Sequence, residues 1–195
     1  MDGETIEAYD REAGGFAQDW DEQPAPSDLQ ARVREFFTPG PTADIGCGSG
    51  RDAAWLSDNG FPTTGYDPSS GLLAQAGQRY PAITFEQSAL PELDGIADAS
   101  FVNVLCETVI MHLEPAALLP SLRRLTAILA PGGTLYLSWR VTRGGDRRDE
   151  HGRLYAVVDG DLVNKALSDL RVLVDEEHDS ASSGKVIRRI VARKR

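Results

Sequence analysis

The chain has 195 residues, of which 41% are hydrophobic and 26% are charged, and its formal net charge is −10. This composition predicts one soluble globular domain with a sizeable core, and the negative field opposes nucleic acid as a partner. No apolar run is long enough to span a bilayer, and the acidic start is not a secretory signal, so we expect no membrane partner. Cys47 and Cys106 are the only cysteines, which favours a reducing cytoplasm.

The N-terminal part, residues 1–40, is predicted to be a helical extension of the domain that residues 41–195 form. Its first helix is expected to break near Gly14-Gly15, since glycine is a poor helix former. Ser27 followed by Gln30 has the pattern of a capping box and is expected to open the next helix.

From residue 42 onward, strand patterns alternate with helix patterns, as in a doubly wound α/β fold. The predicted strands cover residues 42–45, 61–66, 83–86, 98–106 and 134–140. Helices are expected between them over residues 51–59, from Ser69, around residues 119–129 with Pro120 in the first position, and over residues 162–168. Two last β runs, residues 171–176 and 185–192, are close enough in sequence to form an antiparallel hairpin.

A basic tail begins in the C-terminal β run and continues to the last residue. We interpret the tail as a solvated strand edge followed by a frayed end, a common place for positive charge. Its members are Lys185, Arg188, Arg189, Arg193, Lys194 and Arg195.

The most informative segment is Asp44-Ile45-Gly46-Cys47-Gly48-Ser49-Gly50, which joins the first strand to the following helix. Glycine at every second position permits a sharp turn and leaves no side chain between the backbone and a ligand. The helix that follows presents its unpaired N–H groups to that ligand. Asp67, at the end of the second strand, has the place of an acid that accepts ribose hydroxyls. Together these features indicate a nucleotide-like cofactor.

Two cofactor classes compete for this loop. A dinucleotide site requires a third glycine at the position that Arg51 occupies here. Asp44, just before the first glycine, would oppose a pyrophosphate but suits a cofactor that carries an ammonium group.

The glycine loop resembles motif I of the class I S-adenosylmethionine (SAM) dependent methyltransferases. Four further segments resemble later motifs of that family in the same order, namely residues 64–69, 85–91, 101–113 and 129–135. The resemblance implies an α/β fold with a doubly wound, seven-stranded, mostly parallel Rossmann-like sheet whose last strand is antiparallel. It also implies SAM as the cofactor and S-adenosylhomocysteine as its product.

The resemblance assigns the methionine part of SAM to the glycine loop, the ribose to Asp67 and the adenine to residues 88–90. Ser88 departs from the family, which often has aspartate at that position. Leu72 is expected to pack on the adenine, and a role in the core is an equally good interpretation. Cys47 is interpreted as a small loop residue rather than a nucleophile. The full set of expected cofactor contacts is Tyr9, Asp44, Gly46, Cys47, Gly48, Gly50, Asp67, Pro68, Leu72, Ser88, Ala89, Leu90, Cys106 and Glu107.

Methyl transfer mainly requires that the acceptor approach in line and without water, and a base is needed only if the acceptor carries a proton. His112, after the fourth strand, is the candidate base, and the alternative is a structural histidine in the turn 111–113. No histidine or cysteine spacing indicates a metal. Tyr9 and Trp20 are candidates for a lid over the site, and Trp20 for an acceptor contact.

The segment after the fifth strand is dense in arginine, and loops at strand carboxyl ends build substrate sites in such folds. Arg140, Arg153 and Tyr155 are candidates to clamp a carboxylate or phosphate of the acceptor. The alternative is a solvated loop cross-linked by its own ion pairs.

The sequence therefore predicts an enzyme that methylates a small-molecule acceptor, for which an anion is one candidate. One alternative is a SAM-binding regulatory module that has lost catalysis. A reductase that uses NAD(P) is the other alternative, and Arg51 and Asp44 disfavour it.

Overall fold

A computed structural model describes residues 1–195, which form seven helices and nine strands. The helices are α1 (Gly3–Arg11), α2 (Ala13–Glu22), α3 (Ser27–Phe36), α4 (Arg51–Asp58), α5 (Ser70–Arg79), α6 (Pro115–Ile128) and α7 (Gly160–Ala166). The strands are β1 (Thr42–Ile45), β2 (Thr63–Asp67), β3 (Thr84–Gln87), β4 (Phe101–Cys106), β5 (Leu129–Arg140), β6 (Arg147–Arg148), β7 (Leu154–Tyr155), β8 (Leu170–Asp179) and β9 (Val186–Lys194). A short 3₁₀ turn covers Ile110–His112.

Seven of the strands form one sheet in the order β3-β2-β1-β4-β5-β9-β8. The first five pair in parallel, whereas β9 lies antiparallel between β5 and β8. The carboxyl ends of β2, β1, β4 and β5 and the start of β9 therefore share one edge of the sheet. The predicted fold class, with its antiparallel last strand, is confirmed.

Side chains that alternate along the central strands build a hydrophobic core on each face of the sheet. Val104 of β4 belongs to the larger core, which α6 and α7 cover, and its neighbour Leu105 belongs to the core under α3 and α4. A small third cluster joins Phe16 of α2 to Leu72 of α5. This last contact attaches the N-terminal helices beside the carboxyl edge.

The N-terminal helices differ from the prediction at two points. The break lies at Glu12, whose backbone leaves the helical region, whereas Gly14 lies inside α2. Burial of one face of α2 outweighs the weak helix propensity of glycine. The capping box is wrong as well, because Pro26 has the N-cap position of α3 and no side chain caps the helix.

The segment around α6 also differs from the prediction. The helix begins at Pro115, in the first position that proline favours, and Pro120 lies inside it. Pro120 removes one backbone hydrogen bond, and the fully buried leucines of this helix compensate through packing. β5 begins at Leu129, earlier than predicted. Its pairing register with β4 shifts between Phe101 and Asn103, and this irregularity accommodates the proline and glycines that follow Ala130.

The interpretation of the basic tail as a solvated edge is wrong for Arg189, which is 2% exposed. Its guanidinium donates to the Tyr136 hydroxyl at 2.7 Å, to Glu176 at 3.2 Å and to Asp28. The reason is topological, since β9 is an interior strand and β8 is the edge. None of the helices has the length and hydropathy needed to traverse a lipid bilayer.

Asn103 of β4 is fully buried and ties the end of α3 to the first strand. Its amide accepts from the Thr38 N–H at 3.2 Å and donates to the Thr38 carbonyl at 2.8 Å and the Thr42 hydroxyl at 2.9 Å. Asn103→Ala leaves buried backbone groups unpaired, so we expect it to lower the free energy of unfolding by about 2–4 kcal/mol in urea denaturation. Asn164→Ala, at an exposed position of α7, is the matched control. Equal stability of the two variants would contradict this role.

Candidate functional site at the carboxyl edge of the sheet

Two cavities open at the carboxyl edge of the sheet. The larger has a volume of about 340 Å³ and lies between the glycine loop, the end of β5 and the turn before β9. The smaller, of about 90 Å³, lies over Asp67 and Leu72. Residues that line both cavities mark the junction between them, and they are Tyr9, Trp20, Gly46, Gly48, Glu107 and Thr108.

Each glycine of the loop has its own reason to lack a side chain. A Cβ at Gly46 would collide with Val109, and a Cβ at Gly50 would press on Phe85. Gly48, with φ of +54°, faces the cavities instead, and a Cβ there would lie 2.9 Å from Cζ3 of Trp20. Gly48 is thus the position where a side chain would fill the ligand space.

Asp44 lies under the glycine loop, 3% exposed, and lines the larger cavity. Its Oδ2 has no hydrogen-bond partner. Burial, followed by repulsion from the nearby carboxylates Asp52, Asp67 and Glu107, raises its pKa well above the ordinary value. A buried carboxyl oxygen without a partner is costly, and a cationic ligand would satisfy it.

Two further buried carboxylates line the same edge. Asp67 accepts from the Gly48 and Ser69 N–H groups, both at 2.9 Å, yet burial raises its pKa to about 6. Glu107, directly after β4, bonds the Ser138 hydroxyl, and burial raises its pKa to about 7. Neither pairs with a cation.

The charges change sign along the strand order. Acids stand at the carboxyl ends of β2, β1 and β4, which are neighbours in the sheet. Arg140 ends the next strand, β5, and Lys185 immediately precedes β9 beyond it, and both line the larger cavity. The edge therefore presents an acidic side and a basic side in one continuous space.

Arg140 and Arg153 have different surroundings, although both line the larger cavity. The Arg140 guanidinium lies 5.1 Å from the centre of the Tyr155 ring and pairs with no carboxylate. Arg153 pairs with Asp149 at 2.6 Å and lies 4.5 Å from the Phe16 ring centre. Part of the arginine-rich segment is thus cross-linked by its own ion pair, and Arg140 is the arginine of the larger cavity that pairs with no carboxylate.

His112 is 4% exposed and fixed on both sides of its ring. Nδ1 lies 2.5 Å from the Leu154 carbonyl, which can only accept, so Nδ1 carries the proton. Nε2 then accepts from the Tyr9 hydroxyl at 3.2 Å. Burial lowers the pKa of His112 to about 4. These surroundings oppose a general-base role and favour a role in which His112 orients Tyr9.

Most of the expected cofactor residues line the two cavities. Asp44 and Cys47 line the larger cavity, Pro68 and Leu72 line the smaller one, and Asp67 forms its floor. The remaining expected contacts line neither cavity, and they are Gly50, Ser88, Ala89, Leu90 and Cys106. Cys106 is fully buried in the core, and Ser88 donates to the Asp94 carbonyl at 3.3 Å.

Sequence reasoning missed two parts of the site. The turn between β8 and β9 contributes four residues to the larger cavity, Ser180, Ser182, Ser183 and Lys185. Predicting the position of this turn would have required the register of β9 in the sheet. Thr108, at the junction, has φ of +54°, which is strained for a β-branched residue and typical of functional sites. No sequence pattern signals that strain.

Comparison with known proteins agrees with this site. A model of the methyltransferase domain family matches residues 43–133. Trans-aconitate 2-methyltransferase of Methylobacterium nodulans is 36% identical over 132 residues, which are 65% of this chain and 48% of that protein. The enzyme of the same name from Paracidovorax citrulli is 34% identical over 59% of this chain and 44% of its own length. The chain thus spans about half the length of these curated relatives.

Solved structures share the fold across nearly the whole chain. A 1,6-didemethyltoxoflavin-N1-methyltransferase of Burkholderia thailandensis, solved with S-adenosylhomocysteine, superposes with a TM-score of 0.73 at 24% identity and covers 97% of this chain and 87% of its own. A SAM-dependent methyltransferase of Anabaena variabilis gives a TM-score of 0.76 at 18% identity over 97% and 95% of the two chains. These findings show that residues 43–133 belong to the methyltransferase domain family, in a chain whose fold is that of SAM-dependent methyltransferases.

Proposed function

We propose that this protein transfers a methyl group from SAM to a small anionic acceptor that binds in the larger cavity. The observation that carries the proposal is the change of charge along the carboxyl edge, with acids on β2, β1 and β4 and free cations at β5 and β9. SAM carries an ammonium and a sulfonium group, so the acidic side suits the donor. The basic side suits an anion. The names of the trans-aconitate relatives support an acid as acceptor.

The residues present fit SAM as the cofactor. The unpartnered Oδ2 of Asp44 lies where an ammonium group would satisfy it, and Gly48 keeps the adjoining space clear. Asp67 retains free lone pairs for ribose hydroxyls after its two backbone bonds. When bound, SAM supplies an electrophilic methyl group.

The surroundings of His112 favour an acceptor whose reacting atom is already ionised. A pKa of about 4 makes His112 a weak base at neutral pH, and its Nε2 is occupied by Tyr9. A carboxylate oxygen needs no proton removed before it accepts a methyl group. Tyr9 and Trp20 stand over the junction, where they would exclude water, in keeping with the predicted lid role of residues 1–40.

Two further expectations belong to this proposal. The net charge of −10 argues against nucleic acid as an acceptor. Cys47 and Cys106 are both free and buried, which accords with a reducing cytoplasm. No observation favours the regulatory module or the reductase.

The proposal is tested by incubating the protein with SAM and a panel of small carboxylic acids, trans-aconitate among them. Liquid chromatography with mass spectrometry would detect methylated products and S-adenosylhomocysteine. Tight SAM binding without product from the panel or from a cell extract would instead favour the regulatory module.

SAM binding is expected to release protons and to strengthen as the pH rises from about 5.5 to 7.5. In the free protein Asp67 and Glu107 titrate near pH 6 and 7, and Asp44 has a raised pKa. The cationic groups of SAM and its ribose hydroxyls favour the ionised forms of these carboxyl groups, so binding expels protons below those pKa values. Calorimetry at pH 6 in two buffers of different ionisation enthalpy measures the release.

The matched variants for this experiment are Asp44→Asn and Asp169→Asn. The first removes the unpartnered carboxylate and should reduce the proton release and weaken SAM about tenfold. Asp169 is exposed and remote from the cavities, so its variant should behave as the wild type. Binding heats that do not depend on the buffer at pH 6 would refute the account of the acidic side.

Arg140→Ala is expected to raise the acceptor's KM about tenfold or more, with SAM affinity and melting temperature nearly unchanged. Arg140 has no carboxylate partner in the protein, so its loss removes a ligand contact and no ion pair. Arg140→Lys should restore only part of the loss, because ammonium lacks the bidentate fork. Steady-state kinetics measure the KM of the acceptor, and Arg171→Ala, at an exposed position, is the control. If Arg140→Ala instead lowers the melting temperature and leaves the KM unchanged, Arg140 has a structural role.

A further inference from the structure

The basic side of the larger cavity contains two cations that the protein itself leaves unpaired. Four lysine or arginine side chains line this cavity. Arg51 pairs with Asp52 at 3.2 Å and Arg153 pairs with Asp149 at 2.6 Å. Arg140 and Lys185 pair with no carboxylate, although the chain carries 30 acidic residues against 20 basic ones.

The register of the sheet places these two cations on the same face. Arg140 of β5 lies directly opposite Ile187 of β9. The pairing continues one residue beyond this point, because the Val141 N–H donates to the Val186 carbonyl at 3.0 Å, and Lys185 comes directly before Val186. Residues two apart in an extended chain share a face, and Arg140, Ile187 and Lys185 all line the larger cavity, so the two cations face the same space.

The backbone of Lys185 is fixed by the turn that precedes it. Its carbonyl accepts from the Ser180 N–H at 2.9 Å, and the Gly184 N–H donates to the Ser180 carbonyl at 2.8 Å. The far side of the turn is anchored as well, since Ser182 donates to Gln23 at 2.9 Å and accepts from Arg51 at 3.4 Å. The Lys185 side chain is exposed, so it can adjust to a ligand from a fixed base.

We propose that the acceptor carries at least two anionic groups and that Arg140 and Lys185 bind one each. The inference rests on the proposed function for the location of the acceptor. It adds a substrate class, small acids with two or more carboxylates, and it identifies Lys185 as the residue that selects them over acids with one. A monoanion would satisfy Arg140 alone and leave Lys185 in water.

Binding rather than turnover provides the test. Calorimetry with saturating S-adenosylhomocysteine compares dicarboxylates of four to six carbons with monocarboxylates of the same lengths. The wild type should bind at least one dicarboxylate about fivefold or more tightly than its monocarboxylate, as expected for one added half-exposed ion pair. Lys185→Ala should abolish that preference and leave monocarboxylate affinity unchanged, whereas Arg140→Ala should weaken both classes.

Lys165→Ala, an exposed lysine on α7, is the matched control and should keep the preference. Lys185→Arg should preserve it, because the charge is retained. Equal affinity for the two classes in the wild type, undetectable binding of every acid, or a preference that survives in Lys185→Ala would overturn the inference. Since no methyl transfer is measured, a protein that binds dicarboxylates without methylating any acid would refute the proposed function and leave this inference standing.

Discussion

Three buried carboxylates without a cation are the constraint on which the site depends. Asp44, Asp67 and Glu107 all lie at the carboxyl edge, and burial raises the pKa of each. For Asp67, a rise from 3.8 to about 6 corresponds to about 3 kcal/mol of lost stability at neutral pH. That loss is complete above about pH 6 and vanishes below the ordinary pKa of an aspartate. At neutral pH a bound cationic ligand would offset this loss, and without one the two cores on the faces of the sheet supply the compensating stability.

The strand order places the buried acids and the unpaired cations on opposite sides of one site. Because β4 and β5 are adjacent, the acid after β4 is the neighbour of the arginine that ends β5. The insertion of β9 between β5 and β8 then brings Lys185 to the same edge, although it lies some forty residues further along the chain. The junction residues Tyr9, Trp20 and Thr108 occupy the boundary between the two sides. A donor and an acceptor of opposite charge would therefore meet at that boundary.

Local sequence signals predicted most of the fold and the acidic side of the site. The glycine loop, Asp44 and Asp67 follow from spacing within one strand–helix–strand unit, β1 to β2. The basic side depends on contacts between distant segments, and sequence alone could not supply them. Lys185 and Arg189 were interpreted as solvated tail residues. Because β9 is an interior strand, Arg189 is buried, and Lys185, just before β9, lines the larger cavity. His112 was a candidate base from its place after the fourth strand, and its bond to Tyr9, 103 residues away in sequence, could not be read from any local pattern.

The central claim is that a cationic donor and an anionic acceptor occupy opposite sides of one charged edge. A crystal structure of the protein with S-adenosylhomocysteine and trans-aconitate would test it most directly. The account predicts the amino group of the cofactor product within hydrogen-bond distance of Asp44 Oδ2, and separate carboxylates of the acid on Arg140 and Lys185. An acid bound away from both cations, or the ammonium group placed on the basic side, would contradict it.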